Sequence, residues 1–152
     1  MYTLKEIETE GLYYLELASS NRESKAQICL NQGGRLSNLM FDNTKILADF
    51  DASTYKDNYA SAILFPFANR IKDGEYTFKD SKHKLDCNET DKNNALHGLV
   101  YNKTFVLINK ELKSDFASVT LQYKNYGKVT GFPFKFHICL LYTSDAADDG
   151  TG

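Results

Sequence analysis

Short runs of alternating polar and apolar residues recur along this chain, and they constrain its fold more than any other feature. Such runs occupy Leu12–Ala18, residues 25–30 and residues 75–79, and turn-forming residues such as Gly33 and Gly34 separate them. A period of two places alternate side chains on opposite faces of a strand. No segment has the longer period of an amphipathic helix. Strand patterns with a turn signal about every ten residues predict an all-β sandwich or barrel.

Composition supports this interpretation and narrows the class of ligand. Ten tyrosines and ten phenylalanines favour strands, and 152 residues with 42% hydrophobic content fit one domain. The net charge is −2, without a block of like charge, so the chain has no electrostatic footprint for nucleic acid or an anionic membrane. No apolar window is long enough to span a bilayer. We therefore expect neither nucleic-acid nor membrane partners.

The cysteines and the N-terminus indicate the compartment. Cys29, Cys87 and Cys139 are an odd number at wide spacing, which fits neither a disulfide framework nor a zinc site. The first residues lack the charged and then apolar pattern of a signal peptide. We expect a cytoplasmic protein without a bound metal.

Two stretches break the alternation. Residues 58–74 are mostly apolar until Asn69 and Arg70, and residues 93–102 contain His97 among apolar neighbours. Polar groups in such surroundings need hydrogen-bond partners or a ligand. The spacing alone leaves two interpretations open: a structural Arg and His, or a binding site.

Taken together and in order, several motifs resemble the aldose 1-epimerase (galactose mutarotase) family. The resemblance covers about residues 10–138. The motifs are Gly33-Gly34-Arg-Leu, Phe65-Pro-Phe-Ala-Asn-Arg70-Ile, Gly74-Glu-Tyr-Thr-Phe, Leu96-His97-Gly98 and Gly131-Phe132-Pro133.

The resemblance implies a galactose mutarotase-like β-sandwich that interconverts the α and β anomers of a free hexose, such as galactose or glucose. It implies general acid–base ring opening, which needs no cofactor. By resemblance Arg70 donates hydrogen bonds to sugar hydroxyls, His97 contacts the ring near its reacting oxygen, and Asn69 orients them. Tyr101 is a candidate apolar wall of the site. Phe65 and Phe67 are further candidates, although a core role is favoured for both.

Two family motifs are absent. The family's general-acid His follows an Asn beyond the Gly-[Tyr/Phe]-Pro turn, and its general-base Glu lies near the end of a longer chain. None of the three histidines, His83, His97 and His137, has that context. We therefore expect no catalytic residue in this chain, which corresponds to about the N-terminal half of the sandwich, and we expect the fragment to be inactive with apolar faces uncovered.

Individual positions carry smaller expectations. Leu99 stands where the family often has a second Gly, which leaves the identity of the sugar open. His83 lies between two lysines and is predicted on a solvated face, whereas His137 has no predicted role.

The last residues have a different character. The segment from Cys139 to Asp149 resembles the translation of a sequencing adapter. We therefore predict a partial aldose 1-epimerase domain at residues 1–138 and a non-native tail at residues 139–152, whose removal would leave stability nearly unchanged.

Two other functions are compatible with the same motifs. A hexose-phosphate epimerase of the same superfamily would need additional cations for the phosphate, but Arg22, Arg35 and Arg70 are the only arginines. A non-catalytic carbohydrate-binding β-sandwich is the other alternative. An Asn-His motif and a late Glu in downstream gene sequence would favour the enzyme.

Overall fold

The structure, a computed structural model, describes residues 1–47 and 52–145. This part of the chain is nearly all β, as predicted. A short 3-10 turn at Ala52–Thr54 precedes the one-turn helix α1 (Tyr55–Asn58). The strands are β1 (Thr3–Thr9), β2 (Leu12–Ala18), β3 (Lys25–Cys29), β4 (Arg35–Phe41), β5 (Thr44–Leu47), β6 (Arg70–Lys72), β7 (Glu75–Phe78), β8 (Ser81–Lys84), β9 (Asn94–Leu96), β10 (Val106–Leu112), β11 (Phe116–Tyr126) and β12 (Lys135–Asp145).

The first five strands form an antiparallel sheet in chain order. Each neighbouring pair is joined by a short connection, such as the β1–β2 turn at Glu10 and Gly11, which both have positive φ angles. In β2, Leu15 and Leu17 are buried, and Leu15 pairs with the buried Ile28 of β3.

Strands β10, β11 and β12 form a second antiparallel sheet that packs on the first. Alternate residues of β11 are fully buried and contact the leucines and isoleucine of the first sheet. These residues are Ala117, Val119 and Leu121. Because Phe105 and Val100 fill the same cluster, the two sheets share one hydrophobic core, which is the arrangement of a sandwich.

Strand β12 continues past the boundary predicted at residue 138. Cys139 pairs with Gln122, and the ladder with β11 extends to Asp145. Leu140 and Tyr142 pack against the core, and the Tyr142 hydroxyl donates to the Gly34 carbonyl at 2.7 Å. This packing argues against the prediction that removal of residues 139–152 leaves the stability of the chain nearly unchanged. Its non-native origin stays a prediction, and residues 146–152 lie outside the described residues.

Two small sheets complete the fold. Strand β6 pairs with β9, and β7 pairs with β8 as a hairpin. The Tyr76 hydroxyl of this hairpin donates to the Gly131 carbonyl at 2.8 Å. His83 is half-buried, because its ring stacks on Tyr76 with centroids 4.9 Å apart and meets the edge of Phe134 at 5.6 Å. The prediction of a solvated His83 was therefore wrong.

Candidate functional site

The β6–β9 pair brings the two unusual stretches of the sequence together. Arg70 pairs with Leu96 in the register of these strands, so Asn69 and His97 meet at their shared end. The His97 N–H donates to the Asn69 carbonyl at 3.0 Å, and the Asn69 N–H donates to His97 Nδ1 at 3.3 Å. With Nδ1 accepting, the neutral imidazole carries its proton on Nε2.

The backbone at this end is unusual on both strands. Asn69 and His97 each have φ of 63°, in the left-handed region, where Asn and His are more frequent than most side chains. Gly98 follows with φ of 79°, and a Cβ there would lie 2.2 Å from the Phe65 carbonyl oxygen. That oxygen accepts the Leu99 N–H at 2.7 Å. The close approach of the Phe65 segment therefore requires the Gly of the Leu-His-Gly motif.

Arg70 is held by the carboxylate of Glu89, which lies outside every motif of the sequence. Arg70 Nε and Nη2 donate to the two carboxylate oxygens of Glu89, both at 2.7 Å, and Nη1 donates to Asn69 Oδ1 at 3.2 Å. Glu89 also accepts from Asn94 Nδ2 at 2.7 Å and pairs with Lys92 at 3.4 Å. The Glu89 side chain is 11% exposed, whereas that of Arg70 is 47% exposed. The guanidinium therefore faces solvent with the carboxylate behind it.

This arrangement shifts the ionisation of both partners. Hydrogen bonds from Arg70 and Asn94 lower the pKa of Glu89 to about 2. The hydrogen bonds to Glu89 and its negative charge raise the pKa of Arg70 above its already high usual value. Both groups are thus ionised at neutral pH, and the guanidinium is fixed in one orientation by a bidentate pair.

Aromatic rings form one side of the site. The Tyr59 ring meets His97 edge-on with centroids 4.7 Å apart and meets Tyr101 at 5.1 Å. Asn88 Nδ2 lies 3.2 Å from the Tyr59 hydroxyl and 3.1 Å from that of Tyr101. Burial, followed by the neighbouring Tyr101, raises the pKa of Tyr59. We call Tyr59 and Tyr101 the tyrosine wall.

The tyrosine wall is attached to the strands that carry the site. Asn88 Oδ1 accepts the Leu96 N–H at 2.7 Å, and its Nδ2 lies 3.0 Å from the Leu96 carbonyl. From the other side, the Tyr55 hydroxyl donates to the Tyr101 carbonyl at 3.0 Å, and the buried Arg35 lies over the Tyr55 ring at 4.3 Å. The wall is therefore fixed to β9 and to the interior.

Phe65 and Phe67, the other candidates for an apolar wall of the site, are not part of the tyrosine wall. Phe65 is 36% exposed, and its ring packs on Phe136 with centroids 4.9 Å apart. The core role favoured for Phe65 was therefore wrong, and Phe67 is half-buried. Tyr59 was missed because it occurs in an apolar run without a motif, while Glu89 occurs in a polar run of the kind that usually forms a solvated loop.

The site combines fixed polar groups with a ring surface. Its hydrogen-bonding groups are the half-exposed Arg70 guanidinium and the half-buried His97 imidazole, next to the amide of Asn69. A neutral molecule with several hydroxyls and an apolar face matches such a surface. Within residues 1–47 and 52–145 no group of three His, Cys, Asp or Glu side chains is placed to hold a metal ion. In the same residues, no helix has the length and apolar character needed to cross a membrane.

Comparison with solved structures identifies the fold. A galactose mutarotase-like protein from Clostridium acetobutylicum aligns with a TM-score of 0.76 and 24% identity over 93% of this chain and 45% of that one. Galactose 1-epimerase from Lactobacillus acidophilus aligns with a TM-score of 0.70 and 17% identity over 95% of this chain and 45% of that one. The chain thus spans less than half the length of these proteins and has the galactose mutarotase-like fold.

Comparison of the sequence with family profiles identifies the family. The profile described as aldose 1-epimerase matches residues 15–148, which is most of the chain and includes every residue of the site. The chain belongs to the aldose 1-epimerase family.

Proposed function

We propose that Arg70, His97 and Asn69 bind the free hexose in a protein that interconverts the α and β anomers of galactose or glucose. The observation that carries this proposal is the shared end of β6 and β9, where the Asn69 backbone N–H donates to the His97 ring and the Asn69 side chain accepts from Arg70. Family membership supplies the class of reaction, and the proposed partner is a small neutral sugar.

The geometry gives each residue a role in binding. Arg70 Nη1 and Nη2 each keep one N–H beyond those bonded to Asn69 and Glu89, and these two donate to sugar hydroxyls. His97 Nε2–H donates to an oxygen near the reacting centre, because Nδ1 is engaged with the Asn69 N–H. Tyr59, whose ring contacts His97, packs against the apolar face of the sugar ring. No cofactor is required by this chemistry.

Ring opening needs an acid and a base besides these binding groups. A base removes the proton from the C1 hydroxyl, an acid protonates the ring oxygen, and the aldehyde rotates before the ring closes on its other face. The one carboxylate described in contact with Arg70 is Glu89, and it is engaged in hydrogen bonds as an ionised acceptor. We propose that the acid and base belong to sequence beyond this chain, and that the 152-residue chain alone is inactive.

Binding and catalysis are tested separately. Titration of the isotope-labelled chain with galactose and with glucose, followed by NMR, measures binding. Arg70→Ala should weaken binding about tenfold or more, because a hydrogen bond from a charged donor contributes about 1.5–3 kcal/mol. His137→Ala is the matched control for His97→Ala, since His137 is exposed on β12.

Catalysis is followed by optical rotation of freshly dissolved α-galactose, corrected for the spontaneous rate. The 152-residue chain should not accelerate mutarotation, and a gene product extended to the length of the matched structures should do so. Binding without acceleration by the extended protein would favour the carbohydrate-binding alternative. Unchanged binding in both Arg70→Ala and His97→Ala would overturn the site assignment.

A further inference from the structure

The carboxylate of Glu89 accepts hydrogen bonds from three neighbours and is nearly covered by them. Arg70 contributes two bonds, Asn94 contributes one, and Lys92 adds an ion pair. A carboxylate has about four acceptor positions, so little capacity is left for a ligand. Glu89 is thus unsuited to contact the sugar directly and acts on the site through Arg70.

The pair fixes which part of the guanidinium a ligand meets. Nε and one N–H of Nη2 donate to Glu89, and one N–H of Nη1 donates to Asn69. Since the Arg70 side chain is about half exposed, a sugar hydroxyl reaches the outer N–H groups without breaking the ion pair. The guanidinium does not need to be ordered again on binding, which lowers the entropic cost.

The pair also removes most of the charge at this position. Arg70 and Lys92 carry positive charge, while Glu89 and Asp91 carry negative charge, and Asp91 is near enough to affect the pKa of Arg70. The four formal charges cancel. An anionic ligand at Arg70 therefore gains little attraction but must lose its hydration, whereas a hydroxyl needs only the N–H dipoles.

We propose that Glu89 is a positioning and specificity residue: its bidentate pair with Arg70 holds the guanidinium for sugar hydroxyls and cancels its charge, so that the site accepts neutral hexoses and rejects sugar acids and sugar phosphates. This inference rests on the proposed function, because it assigns a substrate class to the same site.

The test compares a neutral sugar with its carboxylate analogue. Affinities for galactose and galacturonate are measured by NMR titration at low ionic strength for the full chain and for Glu89→Gln. The ratio of galactose to galacturonate affinity should fall by about tenfold in Glu89→Gln, since an unpaired guanidinium forms strong charge-assisted bonds with anions. Glu111→Gln is the matched control. Glu111, on β10, pairs with Lys113 at 2.7 Å, and its substitution changes the net charge by the same amount as Glu89→Gln. Its ratio should stay at the wild-type value.

Two further measurements separate position from charge and do not require Glu89→Gln to fold. Glu89→Asp keeps the charge but shortens the side chain, so it should weaken binding of galactose while retaining the preference for the neutral sugar. In the wild-type chain, the affinity for galacturonate should change little between low and physiological salt, because a neutralised site presents little charge to screen.

The outcomes distinguish this inference from the function on which it rests. If the wild-type chain binds galactose but Glu89→Gln leaves the ratio unchanged, the role of Glu89 is wrong and the proposed function stands. A steep salt dependence of galacturonate binding to the wild-type chain would likewise contradict the role of Glu89 and leave the proposed function standing. If the wild-type chain binds neither galactose nor glucose, the proposed function fails and this inference fails with it.

Discussion

At the scale of single residues, Asn69 and His97 of the candidate site both have unfavourable backbone conformations and stabilise each other by hydrogen bonds. A non-glycine residue in the left-handed region is strained by about 1–2 kcal/mol. Asn69 and His97 both adopt it, and the hydrogen bonds that they exchange offset part of this strain. Their pairing also fixes the imidazole tautomer. The same contacts that stabilise the backbone thus orient the proposed donors.

The low pKa of Glu89 has a consequence for stability at acidic pH. The pKa is lowered from 4.5 to about 2 by the Arg70 and Asn94 hydrogen bonds, so the ionised form is favoured in the folded chain. This contribution is complete above the unfolded pKa and is lost as the pH falls through the folded pKa. The stabilisation by Glu89 should therefore decline between about pH 4.5 and pH 2.

The corresponding variant is Glu89→Gln, which cannot ionise. The free energy of unfolding, measured by urea denaturation across that range, should depend less steeply on pH in Glu89→Gln than in the wild-type chain. Glu16, whose pKa is also lowered because Arg22, Gln27 and Lys25 outweigh the effect of burial, supplies part of the remaining slope. Identical slopes in both proteins would contradict the role of the pair.

At the scale of elements, long strands and short strands differ in how well the sequence predicts them. The alternation at Leu12–Ala18 coincides with β2, and the run at residues 25–30 contains β3. Strands β6 and β9 have three residues each, which is too short for periodicity to be recognised. Each of these strands has its hydrogen-bond partner in the other strand, which lies far along the chain, so no local pattern predicts the pair.

The candidate site, like the strands, was predictable from the sequence only in part. Asn69, Arg70 and His97 stand in motifs whose order is informative, and the structure brings them together. Glu89 and Asn88 lie in the connection between β8 and β9, where polar residues are common for many reasons. Their importance depends on contacts across the chain, such as the pair between Glu89 and Arg70, which no local pattern encodes.

Strand β12 offers a test of the predicted boundary at residue 138. The Tyr142 hydroxyl donates to the Gly34 carbonyl, and its ring packs against the core. Tyr142→Phe removes this hydrogen bond while keeping the ring, so unfolding should require about 1 kcal/mol less free energy. The matched control is Tyr126→Phe, because Tyr126 is 67% exposed on β11. Equal stability of the two variants, measured by urea denaturation, would indicate that the segment after residue 138 does not pack as described.

At the scale of the whole molecule, the second sheet exposes several large apolar side chains. Val106 is 56% exposed and Leu141 is 63% exposed, and both lie on the face of β11 that carries Thr120 and Gln122. Ile108, at the register shift of β10, is 50% exposed. We call Val106, Ile108 and Leu141 the outer patch. Exposed apolar side chains on an open sheet favour association with another surface.

The outer patch predicts the behaviour of the chain in solution. The wild-type chain should bind a hydrophobic dye and increase in apparent mass with concentration, as measured by light scattering. Replacing both Val106 and Leu141 with Thr should reduce both effects, because Thr retains strand propensity while removing apolar surface. Ile46→Thr is the control, since Ile46 is 60% exposed on β5 of the other sheet. A wild-type chain that stays monomeric at every concentration and does not bind the dye would show that the outer patch is compatible with an independent, well-solvated domain.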